Sequence, residues 1–89
     1  MAFEFDEAKS HTNAAKHGID FVEAQQLWLD PLRLEVPART KGEPRWLLVA
    51  RSGDDHWSAI FTRRAENTRI ISARRSRKEE IDLYEGQGL

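Results

Sequence analysis

The side chains best suited to chemistry are the basic residues of the segment 61–78. This segment contains seven lysine and arginine residues, and Glu66 is its one acidic residue. The basic residues are Arg63, Arg64, Arg69, Arg74, Arg75, Arg77 and Lys78. Because a guanidinium group matches the geometry of phosphate oxygens and does not titrate, the segment indicates binding of a phosphate-containing ligand. Arginines that only keep an exposed sheet face hydrated would give the same composition, so that explanation also stays open.

Arg74 has a specific position within this segment. Side chains alternate between the two faces of a strand, so Arg74 is expected on the same face as Ile70 and Ser72. A covered arginine requires either a carboxylate partner or an anionic ligand. Two hypotheses follow: an ion pair with Glu79, Glu80 or an acid of the first helix, or contact with a phosphate at the edge of the sheet.

The tripeptide Lys16-His17-Gly18 is the second candidate site. A histidine at the C-terminus of a helix is stabilised in its protonated form by the helix dipole. Such an imidazole can give or take a proton near neutral pH. The alternative is that His17 only caps the helix and takes no part in chemistry.

Several classes of site are not supported by the sequence. The chain has no cysteine, and His11, His17 and His56 lie far apart without an accompanying acidic cluster, so no metal site is predicted. No glycine-rich phosphate-binding loop is present, and Ser72 lacks the glycines of a nucleophile elbow. We therefore predict no metal and no cofactor.

Charge is strongly segregated along the chain, although the net charge is only −1. Residues 31–78 carry twelve of the fourteen lysine and arginine residues and lie between two acidic segments. A cationic middle of this kind is typical of a surface that binds an anionic partner. No apolar run has the length of about 20 residues that spans a bilayer, and the acidic N-terminus does not resemble a signal peptide, so we expect a cytoplasmic protein without membrane contact.

The elements that must position these residues are predicted from periodicity and turn residues. Residues 1–89 are expected to form a single domain. A short edge strand is expected at 3–5, then a helix from Glu7 to His17 that Asp6 caps and Gly18 ends. A second helix should begin at the Asp20–Glu23 capping pattern and reach about residue 28, and a final helix should run from the pattern at 76–79 to Tyr84. Strands are predicted at 32–36, 46–51, 57–62 and 68–73.

This order predicts the α+β class, with two N-terminal helices packed on a small antiparallel sheet and a C-terminal helix. Short strands joined by tight turns favour an antiparallel meander. We also expect guanidinium groups from several strands to converge on one surface of that sheet.

The chain resembles the BrnT family of toxins over residues 3–85. At the N-terminus the resemblance is carried by Phe3, Phe5, Asp6, Lys9, Asn13, Lys16, His17, Gly18, Ile19, Phe21 and Ala24. Further along the chain it is carried by Asp30-Pro31, Glu43, Arg45-Trp46, Arg51-Ser52, Phe61-Thr62, the segment 69–74, Glu80 and Tyr84. The resemblance implies a RelE-like fold, ribonuclease activity that inhibits translation, and neutralisation by a BrnA-type antitoxin that also supplies the contact with operator DNA.

With this resemblance, a site can be assigned residue by residue. RNA cleavage without a metal uses the neighbouring 2′-hydroxyl as nucleophile and needs a base, an acid and a cation that stabilises the phosphorane. The residues expected to stabilise charge are Arg51, Arg64 and Arg74. Lys16 and His17, with Tyr84 as a third candidate, are expected to transfer protons or position the RNA. The residues expected to bind the RNA backbone are Arg69, Arg75 and Arg77.

Two other functions stay open at this point. The same basic sheet could serve as a non-catalytic docking surface for a protein or a nucleic acid. A hydrolase of a small phosphorylated molecule is less favoured, because so short a chain offers little pocket depth.

Overall fold

A computed structural model of the chain describes residues 2–39 and 41–87. The strands are β1 (Ala2–Glu4), β2 (Leu34–Ala38), β3 (Arg45–Ser52), β4 (Asp55–Arg64) and β5 (Asn67–Arg75). The helices are α1 (Glu7–His17), a 3₁₀ helix (Glu23–Leu29) and α2 (Lys78–Glu85). The α+β class predicted from the sequence is confirmed.

The five strands form one sheet in the order β1-β5-β4-β3-β2. Strands β2 to β5 are antiparallel to their neighbours, whereas β1 pairs with β5 in parallel. The prediction of an antiparallel sheet is therefore wrong in this respect, and the sheet is mixed. The reason is that β1 lies beside the last strand, β5. The segment that connects β1 to β5 is long enough for both strands to run in the same direction.

Helix α1 has the boundaries that its capping residues predict. The Asp6 carboxylate accepts a hydrogen bond from the Lys9 amide at 3.0 Å, and Gly18 takes the left-handed conformation at φ 77°. The buried side of the helix is polar. There the Asn13 amide donates to the carbonyls of Ile19 and Ala73, both at 2.8 Å, and thereby attaches the helix to β5.

The second helix begins later than predicted and winds differently: it runs over Glu23–Leu29, and its N-cap is Val22 and not Asp20. Asp20 and Glu23 exchange side-chain hydrogen bonds with each other's amides at 2.7 and 3.0 Å, which confirms the capping pattern. The segment that follows is a 3₁₀ helix and not the expected α-helix. Because a 3₁₀ helix has three residues per turn, Ala24, Leu27 and Asp30 lie on the same side of it. Ala24 and Leu27 are buried in the core, and the Asp30 carboxylate accepts hydrogen bonds from the Arg51 amide and the Tyr84 hydroxyl.

The start of α2 is displaced by one residue from the predicted capping pattern. Arg77 and not Ser76 is the N-cap, and the Arg77 amide donates to the Glu80 carboxylate at 2.8 Å. Glu80 takes this role in place of Glu79 because it points inward, toward Arg74 of β5.

The two faces of the sheet differ in what covers them. On the face that we call the helix face, α1 and the 3₁₀ helix bury an apolar core that contains Leu48, Ala59, Phe61, Ile70 and Ala73. On the opposite face, which we call the α2 face, helix α2 crosses one end of the sheet, and its Tyr84 and Glu80 are buried there. No helix within the described part of the chain has the length and apolar character needed to cross a bilayer.

A bulge in β5 corrects the predicted position of Arg74. Phe61 pairs with Ile70 but its neighbour Ile60 pairs with Ser72, so Ile71 is an extra residue in β5. The extra residue reverses the alternation, which puts Ile70 on the helix face and Arg74 on the α2 face. The prediction that Arg74 shares the face of Ile70 is wrong, because a sequence period cannot reveal a local bulge.

Candidate functional site

The arginines of the 61–78 segment are distributed over the molecule and do not form a single cationic surface. Among the described residues, each of the strand arginines from 63 to 75 lies close to a carboxylate. The nearest nitrogen–oxygen distances are 2.8 Å for Arg63–Glu35, 3.2 Å for Arg64–Glu43, 3.9 Å for Arg69–Glu4, 2.8 Å for Arg74–Glu80 and 2.7 Å for Arg75–Asp55. These arginines therefore do not converge on one surface, and the prediction that they would is wrong.

Arg74 forms a two-pronged ion pair with Glu80. Its two terminal nitrogens lie 2.8 and 2.9 Å from the two carboxylate oxygens, and Ser58 Oγ donates to the same carboxylate at 2.8 Å. The hydrogen bond from Arg74 is the main reason that the pKa of Glu80 is lowered to about 2, against an opposing effect of burial. Of the two hypotheses drawn from the sequence, the ion pair with an acid of 79–80 is the one that forms.

Arg64 and Arg69 lie at the far end of the sheet from α2. Arg64 is the last residue of β4 and binds Glu43 through two nitrogens. Because a strand rises about 3.3 Å per residue, Arg64 lies about 26 Å from His56 at the other end of the same strand. One phosphodiester cannot contact Arg64 and the α2 end of the sheet together.

Lys16 and His17 form the exposed last turn of α1. Since α1 packs on β5 through Asn13 and Ala73, these two residues belong to the helix face. Arg74 lies on the opposite face. The sequence-based roles of Lys16 and His17 stay predictions.

The three residues expected to bind the RNA backbone occupy separate positions. Arg69 lies on the α2 face, opposite Glu4 of β1. Arg75 stacks on Trp57, with its guanidinium carbon 4.7 Å from the ring centroid, on the helix face. Arg77 is the exposed N-cap residue of α2.

Two predicted site residues do meet at the α2 end of the sheet, around the carboxylate of Asp30. Tyr84 of α2 donates its hydroxyl hydrogen to Asp30 at 2.6 Å, and the Arg51 amide of β3 donates to the same oxygen at 2.8 Å. These residues line an open groove of about 410 Å³, together with Gln26, Leu29, Pro31 and Ser52. The guanidinium of Arg51 is half exposed, and its contacts with Asp54 (3.8 Å) and the Gly53 carbonyl (3.4 Å) are long.

A third functional group at this end, His56, was not selected from the sequence. His56 is the cross-strand partner of Arg51, and its Nε2 lies 2.6 Å from the Glu85 carboxylate. Its ring meets the Tyr84 ring edge to face, with centroids 5.4 Å apart. The turn residues at 52–55 carry the signal that could have found it, because a tight hairpin there places residues 51 and 56 opposite each other.

These contacts determine the protonation states of Asp30 and Tyr84. Burial acts to raise the pKa of Asp30, but the hydrogen bonds from Arg51 and Tyr84 outweigh it and lower the pKa. Burial, reinforced by the adjacent Asp30 carboxylate, raises the pKa of Tyr84 to about 12. Asp30 therefore stays ionised and Tyr84 stays protonated through the neutral pH range.

Across residues 2–39 and 41–87, no three histidine, aspartate or glutamate side chains are grouped as ligands for one metal ion. The α2 end of the sheet instead combines the exposed guanidinium of Arg51, the imidazole of His56 and carboxylates that are already hydrogen-bonded. This set can bind a phosphate group and can exchange a proton through the imidazole.

Comparison with known proteins assigns the chain to a family. Residues 5–80 match the family described as the ribonuclease toxin BrnT of type II toxin–antitoxin systems. No curated protein matches the sequence. The match spans most of the chain and includes α1, the 3₁₀ helix, strands β2 to β5 and the first turn of α2. The chain therefore belongs to the BrnT family of type II toxin–antitoxin ribonuclease toxins.

Proposed function

We propose that this toxin is an endoribonuclease that cleaves RNA at the α2 end of its sheet, through attack of the 2′-hydroxyl and without a metal ion. Cleavage would inhibit translation and growth. Membership of a toxin–antitoxin family implies an antitoxin protein as partner, and we propose that this partner is of the BrnA type and contacts operator DNA on behalf of the complex. A RelE-like fold and a cytoplasmic location belong to the same proposal.

The observation that carries this proposal is the environment of Arg51. Its guanidinium is half exposed beside an open groove, whereas Arg74 is held by two short hydrogen bonds to Glu80. A phosphate can replace the long contact of Arg51 with exposed Asp54 at little cost, because such surface ion pairs contribute about 0–1 kcal/mol. Arg51 is thus the arginine best placed to bind a phosphodiester and to stabilise its transition state.

Asp30 and Tyr84 hold the backbone of Arg51 in position through hydrogen bonds. Asp30 fixes the backbone of Arg51 through its amide, and Tyr84 fixes Asp30, so the strand end that carries the guanidinium is held in place. Since the hydroxyl of Tyr84 already donates to Asp30, we assign Tyr84 a positioning role. The catalytic roles of Lys16, His17, Arg64 and Arg74 stay sequence-based predictions, although Arg64, at the far end of the sheet, would contact RNA beyond the cleaved phosphodiester. Arg69, Arg75 and Arg77 stay predicted contacts for the RNA backbone.

Incubation of the purified protein with total RNA tests the proposal. We expect fragments with 5′-hydroxyl and 2′,3′-cyclic phosphate ends, formed equally well in the presence of a chelator. The Arg51→Ala variant should lose activity by about 100-fold or more, as expected for loss of a group that stabilises the transition state. Arg63→Ala is the matched control, because Arg63 is also an exposed strand arginine but lies on the helix face.

Expression without an antitoxin gene provides the corresponding test in cells. The wild-type protein and Arg63→Ala should arrest growth, and Arg51→Ala should not. Absence of cleavage by the wild-type protein, with retained binding of RNA or protein to the sheet, would instead support the non-catalytic docking function. Equal activity of Arg51→Ala and wild type would remove Arg51 from the site.

A further inference from the structure

The pair formed by His56 and Glu85 is a group that the proposed function has not used. The Nε2 atom of His56 and a carboxylate oxygen of Glu85 are 2.6 Å apart. The His56 side chain is 17% exposed, so it is enclosed but still open to solvent. A carboxylate on one ring nitrogen fixes the orientation of an imidazole and leaves its other nitrogen, Nδ1, for a substrate.

His56 and Arg51 are close enough to act on the same phosphate. They are directly opposite each other in the antiparallel β3–β4 pair, so their side chains leave the same face of the sheet. Cα atoms of such partners are about 4.5–5.5 Å apart, which is within the span of one phosphodiester and its neighbouring oxygens. The groups that face the His56 ring are Glu85 and Tyr84 from α2 and Arg51 from β3. The backbone carbonyl of His56 accepts a hydrogen bond from the Ser76 amide at 3.0 Å.

The neighbouring ionisable groups are committed to other contacts. The Tyr84 hydroxyl donates to Asp30, and its raised pKa of about 12 keeps it protonated. Glu80 is bound by Arg74, Ser58 and the Arg77 amide. An imidazole can both donate and accept a proton at its ring nitrogens, so His56 is the group here that is suited to proton transfer.

We propose that His56, oriented by Glu85, is the general acid that protonates the leaving 5′-oxygen during RNA cleavage. The proposal rests on the ribonuclease function proposed above. The 2′-oxygen forms a bond to phosphorus while its proton passes to solvent water, and the bond from phosphorus to the 5′-oxygen breaks. Protonated His56 donates a proton to the departing 5′-oxygen, and it regains one from solvent. The products are a 2′,3′-cyclic phosphate and a 5′-hydroxyl.

An oligonucleotide with sulfur in place of the bridging 5′-oxygen tests this role directly. A thiolate leaves without protonation, so loss of a general acid slows cleavage of the oxygen substrate alone. We expect His56→Ala to lower kcat on the oxygen substrate by about 100-fold or more, within the range of general acid catalysis, and to cleave the sulfur substrate nearly as fast as wild type. His11→Ala is the control, because His11 is an exposed histidine on α1, outside this site.

A Glu85→Gln variant tests the orienting role of the carboxylate. Because Glu85 is expected to act through His56, the variant should lower kcat on the oxygen substrate on the order of tenfold with KM unchanged. In the double variant with His56→Ala, Glu85→Gln should have no additional effect. Circular dichroism and thermal unfolding of each variant identify any loss of activity that comes from unfolding.

The outcomes separate this inference from the proposed function. If wild type cleaves RNA but His56→Ala cleaves the oxygen substrate equally well, or loses both substrates equally while folded, His56 is not the general acid and the ribonuclease assignment stands. If wild type cleaves neither substrate, the ribonuclease proposal itself fails. Additive effects of Glu85→Gln and His56→Ala would overturn the orienting role of Glu85.

Discussion

Replacement of Glu80 by glutamine tests whether the pair with Arg74 stabilises the fold. Glu80 accepts hydrogen bonds from Arg74, Ser58 and the amide of Arg77, and its side chain is 12% exposed. The variant keeps the size of the side chain but removes its charge, so Arg74 loses its carboxylate. We therefore expect Glu80→Gln to lower the free energy of unfolding at pH 7.

The magnitude follows from the pKa of Glu80. Arg74 and the other donors lower this pKa from 4.5 to about 2. Since one pKa unit corresponds to about 1.4 kcal/mol, the folded state favours the ionised carboxylate by about 3.4 kcal/mol at most. Arg74 is a quarter exposed and solvent screens part of the interaction, so we expect a loss of about 2 kcal/mol.

The sign of the pH dependence is fixed by the direction of the shift. A lowered pKa means that the stabilisation is fully present above pH 4.5 and is lost as the pH falls toward 2. The difference between wild type and Glu80→Gln should therefore be constant from pH 7 to about pH 5 and decrease below it. Glu79→Gln, at the exposed neighbouring position, should stay within about 0.5 kcal/mol of wild type throughout.

Urea unfolding at pH 7, 5, 4 and 3 measures both quantities. A wild-type stability for Glu80→Gln at pH 7 would refute the contribution of the pair. A deficit that does not change between pH 5 and pH 3 would refute its assignment to the charge of Glu80. The same pair also means that Arg74→Ala should destabilise the protein, so loss of activity in that variant requires a stability measurement before it is assigned to chemistry.

Two further predictions concern the attachment of α1 and the binding of RNA. Asn13→Ala should lower the free energy of unfolding by about 2–4 kcal/mol, because it leaves the Ile19 carbonyl and both backbone groups of Ala73 without their buried partner. Urea unfolding beside Thr12→Ala, on the exposed side of the same helix, checks this, and equal stability of the two variants would contradict it. The affinity for RNA should fall steeply with salt as phosphate contacts release counterions, and Arg51→Ala should reduce the slope of log K against log salt concentration by about 1. Fluorescence anisotropy of a labelled oligonucleotide from 50 to about 300 mM salt measures that slope, and a flat response of the wild-type protein would argue against contacts with the RNA backbone.

Local signals in the sequence were sufficient for most of the elements. Asp6 and Gly18 mark the two ends of α1, because a capping residue and a left-handed residue each act within one helical turn. The Asp20–Glu23 pair acts over the same short range. Alternation, apolar runs and turn residues also identified all five strands, although 3–5 was placed one residue too late and 32–36 two residues too early. The resemblance of the chain to BrnT toxins was confirmed by the match over residues 5–80.

Tertiary structure alone decided which charged groups meet. The parallel pairing of β1 with β5, the extra residue at Ile71 and the crossing of α2 over β3 depend on contacts between segments far apart in the chain. These contacts put Arg74 against Glu80, and they place Arg51 beside His56, Tyr84 and Asp30. A run of arginines in the sequence shows where positive charge lies along the chain, but the pairing of each charge depends on distance in space. Hydrogen bonds require contact within about 3 Å, and interactions between exposed charges are screened beyond about 10 Å.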